Sequence, residues 1–141
     1  MPSTYSTSLK LELIADGEQS GTWGQTTNKN LGTLLEQAIV GVQSITMTDA
    51  SYTLSNLNGL SDEARNAVIV VTGTNTAVRA VVAPLVPKEY TIVNNTTGGY
   101  AITIGASTGV TVTVGNGLAV SVYCDGVNGF YPSIIATGGT F

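Results

Sequence analysis

The chain contains no histidine, and it contains only one cysteine and one tryptophan among its 141 residues. Without histidine it cannot build a Ser–His–Asp triad, a Cys–His pair or a histidine-ligated metal centre. Cys124 has no second cysteine for an internal disulfide, and the adjacent Asp125 opposes formation of a reactive thiolate. We therefore predict no catalytic, cofactor-binding or metal-binding residues and no enzyme activity.

Charged side chains are also scarce. Five basic and nine acidic residues make up 10% of the chain, with a net charge of −4, whereas a typical soluble domain is about 25% charged. The basic residues are scattered, so we predict neither nucleic-acid binding nor a polybasic membrane patch. Sparse charge gives little protection against association. We therefore expect a subunit of a larger assembly, with an ordinary secreted β-domain as the alternative.

Long apolar runs are missing too. The longest covers residues 67–71, far short of the roughly 20 residues that a membrane-spanning helix needs. The first residues lack the basic region and the continuous apolar block of a signal peptide. The sequence thus predicts no membrane insertion, synthesis and assembly in a cytoplasm, and one domain by size.

One strong helical signal covers residues 21–41. Thr22 and Gln25 have the spacing of a capping box, and Gly41 is suited to end the helix. The apolar residues from position 31 to position 42 share one stripe. They are Leu31, Leu34, Leu35, Ala38, Ile39 and Val42. We predict that Trp23 and this stripe, from Leu31 to Ile39, lie either in a subunit interface or under the rest of the molecule.

Residues 1–20 have the character of an extended N-terminal arm. Apolar and polar side chains alternate from Leu9 to Leu13, which is the period of a half-buried strand. A strand close to a chain terminus can add to the sheet of another protein. We therefore predict a docking arm whose contacts are made by Tyr5, Leu9, Leu11 and Leu13.

From residue 42 to residue 141 the period changes to two. Short runs with one apolar and one polar face alternate with turns rich in glycine and asparagine, which predicts an antiparallel β-sandwich or a barrel-like module. No repeat of 20–50 residues is evident. The predicted strands cover residues 42–48, 52–54, 67–72, 76–83, 90–93, 100–104, 110–114, 118–123 and 130–135.

Three patterns invite a chemical interpretation that the residue types do not favour. The loop at residues 125–129 resembles a calcium loop but lacks further oxygen ligands, so we predict a hairpin turn. Asp62 and Glu63 are adjacent, which does not suit two carboxylates facing each other across a cleft; we expect a helical turn capped by Ser61. The tyrosines could form a sugar-binding surface, but core or subunit packing fits their strand positions better.

Two parts of the chain resemble a known family. Residues 21–39 read GTWGQTTNKNLGTLLEQAI and follow LKLELIADGEQS; this segment resembles the N-terminal part of many bacteriophage tail-fibre and related virion proteins, notably from marine phages. Residues 90–104 and 120–126 are similar to the same proteins. The resemblance implies a structural virion protein without catalytic activity, usually homotrimeric, whose N-terminal part attaches to the particle while the distal part faces the host.

The expected function is therefore assembly. We predict a short tail fibre or fibre-base protein of the virion, with other phage virion proteins and a host-surface glycan or protein as partners. Tail fibres usually continue into long shafts, whereas this sequence ends at Phe141. A capsid-decoration protein on the head is therefore the alternative, and a glycan-degrading enzyme is a remote one.

Overall fold

The computed structural model describes residues 3–133. Within that range the fold is mainly β with a single helix, as predicted. The helix, α1, covers residues 23–40. The strands are β1 (Thr4–Tyr5), β2 (Glu12–Leu13), β3 (Val42–Met47), β4 (Tyr52–Thr53), β5 (Val68–Gly73), β6 (Arg79–Val82), β7 (Lys88–Asn94), β8 (Ile102–Gly105), β9 (Val112–Val114), β10 (Ala119–Cys124) and β11 (Phe130–Pro132).

Two sheets form a sandwich around one core. The five-stranded sheet has the order β11-β10-β7-β5-β3, and the four-stranded sheet has the order β4-β6-β8-β9. Inward-facing residues of both sheets join one contiguous apolar cluster, in which Ile69 and Ile92 come from the first sheet and Val81 and Ile104 from the second. The predicted strands therefore bury their apolar faces as their alternation indicates.

The prediction of antiparallel pairing is wrong for most of this sandwich. The strands β3, β5 and β7 are parallel, and so are β4, β6 and β8. From β3 to β8 the chain crosses from one sheet to the other after each strand, so it returns to each sheet in the same direction. The pattern of buried side chains is the same for both orientations, so alternation alone cannot distinguish them.

The molecule thus contains a short β-helix. Each of its coils passes once through both sheets, as β3 and β4, β5 and β6, and β7 and β8. These coils are a structural repeat that the sequence does not reveal. Val68 pairs with Thr91 and Arg79 pairs with Ile102, so equivalent residues of the second and third coils lie 23 positions apart in both sheets. Between the first and second coils the spacing is 26 positions from Val42 to Val68 and 29 from Tyr52 to Val81. The coils have few identical residues because the fold requires only that inward positions be buried. Strands β9 and β10 then run in the opposite direction, since β9 pairs with β8 and β10 pairs with β7, both antiparallel. Strand β11 pairs antiparallel with β10 and so has the direction of β7 again.

One inward position is filled by an amide instead of an aliphatic side chain. Asn94 takes the place of Val71 in the neighbouring coil and is fully buried. Its amide group donates to the carbonyls of Val114 and Tyr100, and its oxygen accepts from the main chain and hydroxyl of Thr96. All hydrogen-bonding positions of the amide are therefore used, as burial of a polar group requires.

The helix begins and ends where the sequence predicts, but its ends differ in detail. Thr22 accepts no capping bond; its hydroxyl donates to the carbonyl of Gln19, which also accepts from the amide of Trp23. The capping-box prediction is therefore wrong, because a preceding turn supplies the acceptors. Gly41 has an extended backbone, and a side chain there would collide with Asn66 and with the carbonyl of Gln37.

The prediction of an extended arm is wrong as well. Strands β1 and β2 form a small antiparallel hairpin within residues 3–13. The amide of Leu11 donates to the Ser6 hydroxyl over 2.9 Å, and Lys10 has a left-handed backbone with φ 53°. A local side-chain bond of this kind competes with a continuous strand, which is why the alternation from Leu9 onward does not produce one.

Candidate interaction surfaces

Most of the predicted helix stripe is uncovered. Leu34 is fully buried, although it lies outside the main core cluster, and Leu35 and Ala38 are half-buried. In contrast, Trp23, Leu31 and Ile39 are 60%, 59% and 66% exposed. Of the predicted interface residues, Leu34 therefore packs against this same molecule, whereas Trp23, Leu31 and Ile39 are open to solvent.

Two further valines extend this uncovered surface. Val40 and Val42 are 63% and 65% exposed and follow the stripe into β3. We call the set formed by Trp23, Leu31, Ile39, Val40 and Val42 the apolar helix surface. Val42 falls on the predicted stripe, but Val40 does not, so helical periodicity could not have found it.

The middle of α1 explains part of this difference. The α-helical segments Trp23–Lys29 and Glu36–Val40 are separated by π-helical turns at Asn30–Leu35. Such turns are rare and locally widen the helix, so side chains on either side no longer follow one ideal stripe. Asn30, the first residue of the π-helical part, connects the helix to the arm: its side chain accepts from the amide of Glu12 at 3.1 Å and donates to the carbonyl of Glu12 at 2.8 Å.

The arm residues lie on this protein's own surface. Tyr5 and Leu13 are exposed, and Leu9 and Leu11 are half-buried. Docking of this arm on another protein stays a prediction. The arm is also held at the loop between β4 and β5, where the amide of Gly59 donates to the carbonyl of Lys10 over 2.7 Å.

Beneath the arm lies a buried charged pair. Leu9, Asp62 and Arg65 line one narrow crevice. The two side chains form an ion pair at 3.5 Å, and Arg65 Nη2 donates to the carbonyls of Leu57 and Leu60. Its Nε and Nη1 atoms have no acceptor within the described part of the chain. Burial lowers the pKa of Arg65, and the charge of Asp62 opposes that shift.

A groove separates the C-terminal end of α1 from the outer face of the five-stranded sheet. Its volume is about 370 Å³, which falls within the range of about 300–1,000 Å³ that is usual for binding clefts. We call it the helix groove. Its lining includes two apolar side chains of the helix, one carboxylate and three hydroxyls, from Ala38, Ile39, Glu89, Thr91, Ser121 and Ser133.

The outer faces of both sheets carry almost no charge. In strands β3 to β11 the charged residues are Arg79, Lys88 and Glu89. Arg79 pairs with Asp49, and Lys88 turns toward the carbonyl of Asn66, which leaves Glu89 as the exposed charge. Hydroxyl pairs occupy much of the five-stranded face instead, at 3.1 Å between Thr46 and Thr72 and at 3.4 Å between Thr91 and Ser121.

The two adjacent carboxylates, Asp62 and Glu63, accept hydrogen bonds from neighbouring parts of the chain. Asp62 accepts from the amides of Leu57 and Arg65, and Glu63 accepts from the Tyr52 hydroxyl and the amide of Ser55. No helical turn forms here and Ser61 is not the cap, which corrects our prediction, since the Asp62 side chain supplies the acceptor. The bond to Glu63 raises the pKa of Tyr52 to about 12.

The loop at residues 125–129 is a turn, as predicted. Asp125 Oδ1 accepts from the amides of Val127, Asn128 and Gly129, and Oδ2 accepts from the Asn128 side chain. These bonds lower the pKa of Asp125 to about 2. Within residues 3–133, no three metal-ligating side chains lie close enough together to hold an ion.

Cys124 and several tyrosines belong to the core or its rim. Cys124 is buried on β10, and burial raises the pKa of its thiol. Tyr90 is buried beside Phe130, with ring centroids 6.0 Å apart, whereas Tyr123 is exposed and lies 5.7 Å from Tyr131. In the described range, no helix has the length and apolar character that crossing a bilayer requires.

Comparison with family models, with curated proteins and with solved structures found no significant match for this chain.

Proposed function

We propose that this protein is a non-enzymatic structural component of a bacteriophage virion. In this proposal it is a short tail fibre or fibre-base protein, attached to the particle by its N-terminal part and able to present the β-module to the host surface. It forms a homotrimer, it is made in the cytoplasm of the host bacterium, and it binds no nucleic acid or cofactor.

The observation that supports this proposal most strongly is the apolar helix surface. A short helix is only marginally stable by itself in water and depends on packing of its apolar face. Helix α1 buries Leu34 completely but leaves Trp23, Leu31 and Ile39 about 60% exposed. Scattered single apolar residues are ordinary on a protein surface, whereas several large ones exposed on one short helix favour an interaction site.

The distribution of charge also favours assembly. The chain is acidic, so copies repel each other unless their contacts avoid charge. More than half of its charged side chains lie in loops, as at the Asp62–Arg65 pair, and Arg79 on β6 is paired with Asp49. The outer sheet faces and the apolar helix surface can therefore meet other subunits without placing like charges together.

Gold labelling of purified phage particles tests the location. We expect label at the tail and no label on particles from a phage in which the gene is deleted. Label spread over the head would favour the decoration protein, and absence from particles would reject a structural role altogether. Turnover of a surface glycan that is lost in acid-to-amide variants would favour the enzyme.

A deletion of residues 1–20 tests attachment. If the arm is the docking element, the truncated protein should fold and trimerise but should not enter particles. The double substitution Leu9→Ser and Leu11→Ser provides a milder form of the same test. Normal occupancy of the truncated protein in particles would show that attachment occurs elsewhere.

A further inference from the structure

Trp23, at the N-terminal end of the apolar helix surface, and the helix groove, which Ile39 at the other end helps to line, are two separate places on one chain. Neither has a partner among the described residues. A cyclic trimer requires a heterologous contact, in which one patch of a subunit meets a different patch of the next. We infer that Trp23 of one copy enters the helix groove of a neighbouring copy. This inference rests on the proposed self-assembly and names its contact.

Distance excludes Trp23 of the same chain as the occupant. The groove is formed at Ile39, near the C-terminal end of α1, whereas Trp23 is its first residue. A helix rises by about 1.5 Å per residue, so the two positions lie about 24 Å apart along the axis. Trp23 can therefore reach a groove only on a second molecule.

The chemistry of the two surfaces is complementary. An indole buries a large apolar area but must find an acceptor for its N–H group. The groove has the apolar wall of Ala38 and Ile39, together with the carboxylate of Glu89. Lys29, the one basic residue of α1, lies in the same helical segment as Trp23, and it would approach the one exposed charge of the outer sheet face, Glu89.

The dimensions also agree. Five strands spaced by about 4.8 Å make a face about 24 Å wide, and six residues at about 3.3 Å make it about 20 Å long. Helix α1 is about 27 Å long and can lie across that width. The face and one seated tryptophan together provide on the order of 700 Å², close to the roughly 800 Å² per partner of a standard interface.

The single tryptophan of the chain makes the inference directly measurable. As Trp23 enters the groove, its fluorescence emission maximum should move to shorter wavelength and its quenching by acrylamide should fall severalfold. Both changes should occur over the protein concentrations at which the molecular mass in solution rises from monomer to oligomer. Ser121→Arg fills the groove floor and should abolish both changes. Thr113→Arg on the exposed face of the four-stranded sheet is the control and should leave both intact.

A second variant covers the case in which Ser121→Arg fails to fold. Trp23 occupies an exposed helix position, and Trp23→Ala should weaken each subunit contact roughly thirtyfold, the effect of losing an interface hot spot of about 2 kcal/mol. An oligomer whose Trp23 stays fully quenchable would overturn the inference and leave the proposed function standing. A protein that stays monomeric at all concentrations and is absent from particles would reject the proposed function itself.

Discussion

Replacing Leu31 by alanine should separate the stability of the subunit from its association. Leu31 is 59% exposed, and Leu34, three residues later on the same helix, is fully buried. Complete burial of a leucine side chain contributes about 1.5–3 kcal/mol, so covering the exposed part of Leu31 in an interface contributes about 1–2 kcal/mol per copy. For a trimer the loss is about 3–6 kcal/mol, or roughly a hundredfold to a ten-thousandfold in the association constant.

Leu34→Ala is the matched control, with the opposite expected result. Truncation of a buried leucine costs about 2–5 kcal/mol, so this variant should unfold at lower denaturant concentration. Leu31→Ala should change the free energy of unfolding of the monomer by no more than about 0.5 kcal/mol, as at other exposed positions. Sedimentation equilibrium measures association, and urea unfolding at low protein concentration measures stability. If Leu31→Ala associates like the unmodified protein, the apolar helix surface is not the interface.

Four further predictions concern the fold and its chemistry. Asn94→Ala leaves several buried groups without partners and should lower the free energy of unfolding by about 3 kcal/mol or more. Asn95→Ala, at the next and exposed position, should change that free energy by less than about 0.5 kcal/mol. Equal effects of the two substitutions in urea unfolding would contradict the buried role of Asn94. Removal of the Asn30 side chain by alanine substitution should speed hydrogen exchange in residues 3–13 but not in the β-module, as mass spectrometry can show. Hydrogen bonds from Thr76 and Arg79 lower the pKa of Asp49 to about 2, so Asp49 should stabilise the fold fully above about pH 4 and lose this contribution between about pH 4 and pH 2. An Asp49→Asn variant should lack that part of the acid unfolding transition. An unchanged transition in this variant would contradict the role of Asp49. Cys124 should react with iodoacetamide at pH 8 only as the protein unfolds, because its thiol is buried with a raised pKa; fast alkylation of the native protein would contradict that placement.

The sequence predicts the positions of the strands well because burial alternates with a period of two regardless of how strands pair. For the same reason it does not predict that β3, β5 and β7 are parallel. The coils are hidden because their lengths differ and because an inward position accepts Val71 in one coil and Asn94 in the next. The predicted strand ends at residue 93 and leaves Asn94 in a turn. In the structure Asn94 is the last residue of β7, and its side chain bonds to the carbonyl of Val114 and the hydroxyl of Thr96 inside the core.

The interaction surfaces are only partly readable from sequence. The helix and its stripe follow from the spacing of Leu31, Leu34 and Ile39, but exposure depends on what α1 packs against. The helix groove could not be predicted, because it joins residues 38–39 to Ser121 and Ser133 through tertiary contacts alone. The arm was predicted as a strand, yet Ser6 and Asn30 hold it by side-chain bonds to its backbone.

The most direct test is the copy number of this protein in gradient-purified phage particles, measured by quantitative mass spectrometry against the major capsid protein. We predict a fixed number of copies per particle that is divisible by three and is retained through repeated purification. A protein that is lost on purification, or that is found only free in the lysate as a monomer, would contradict the account.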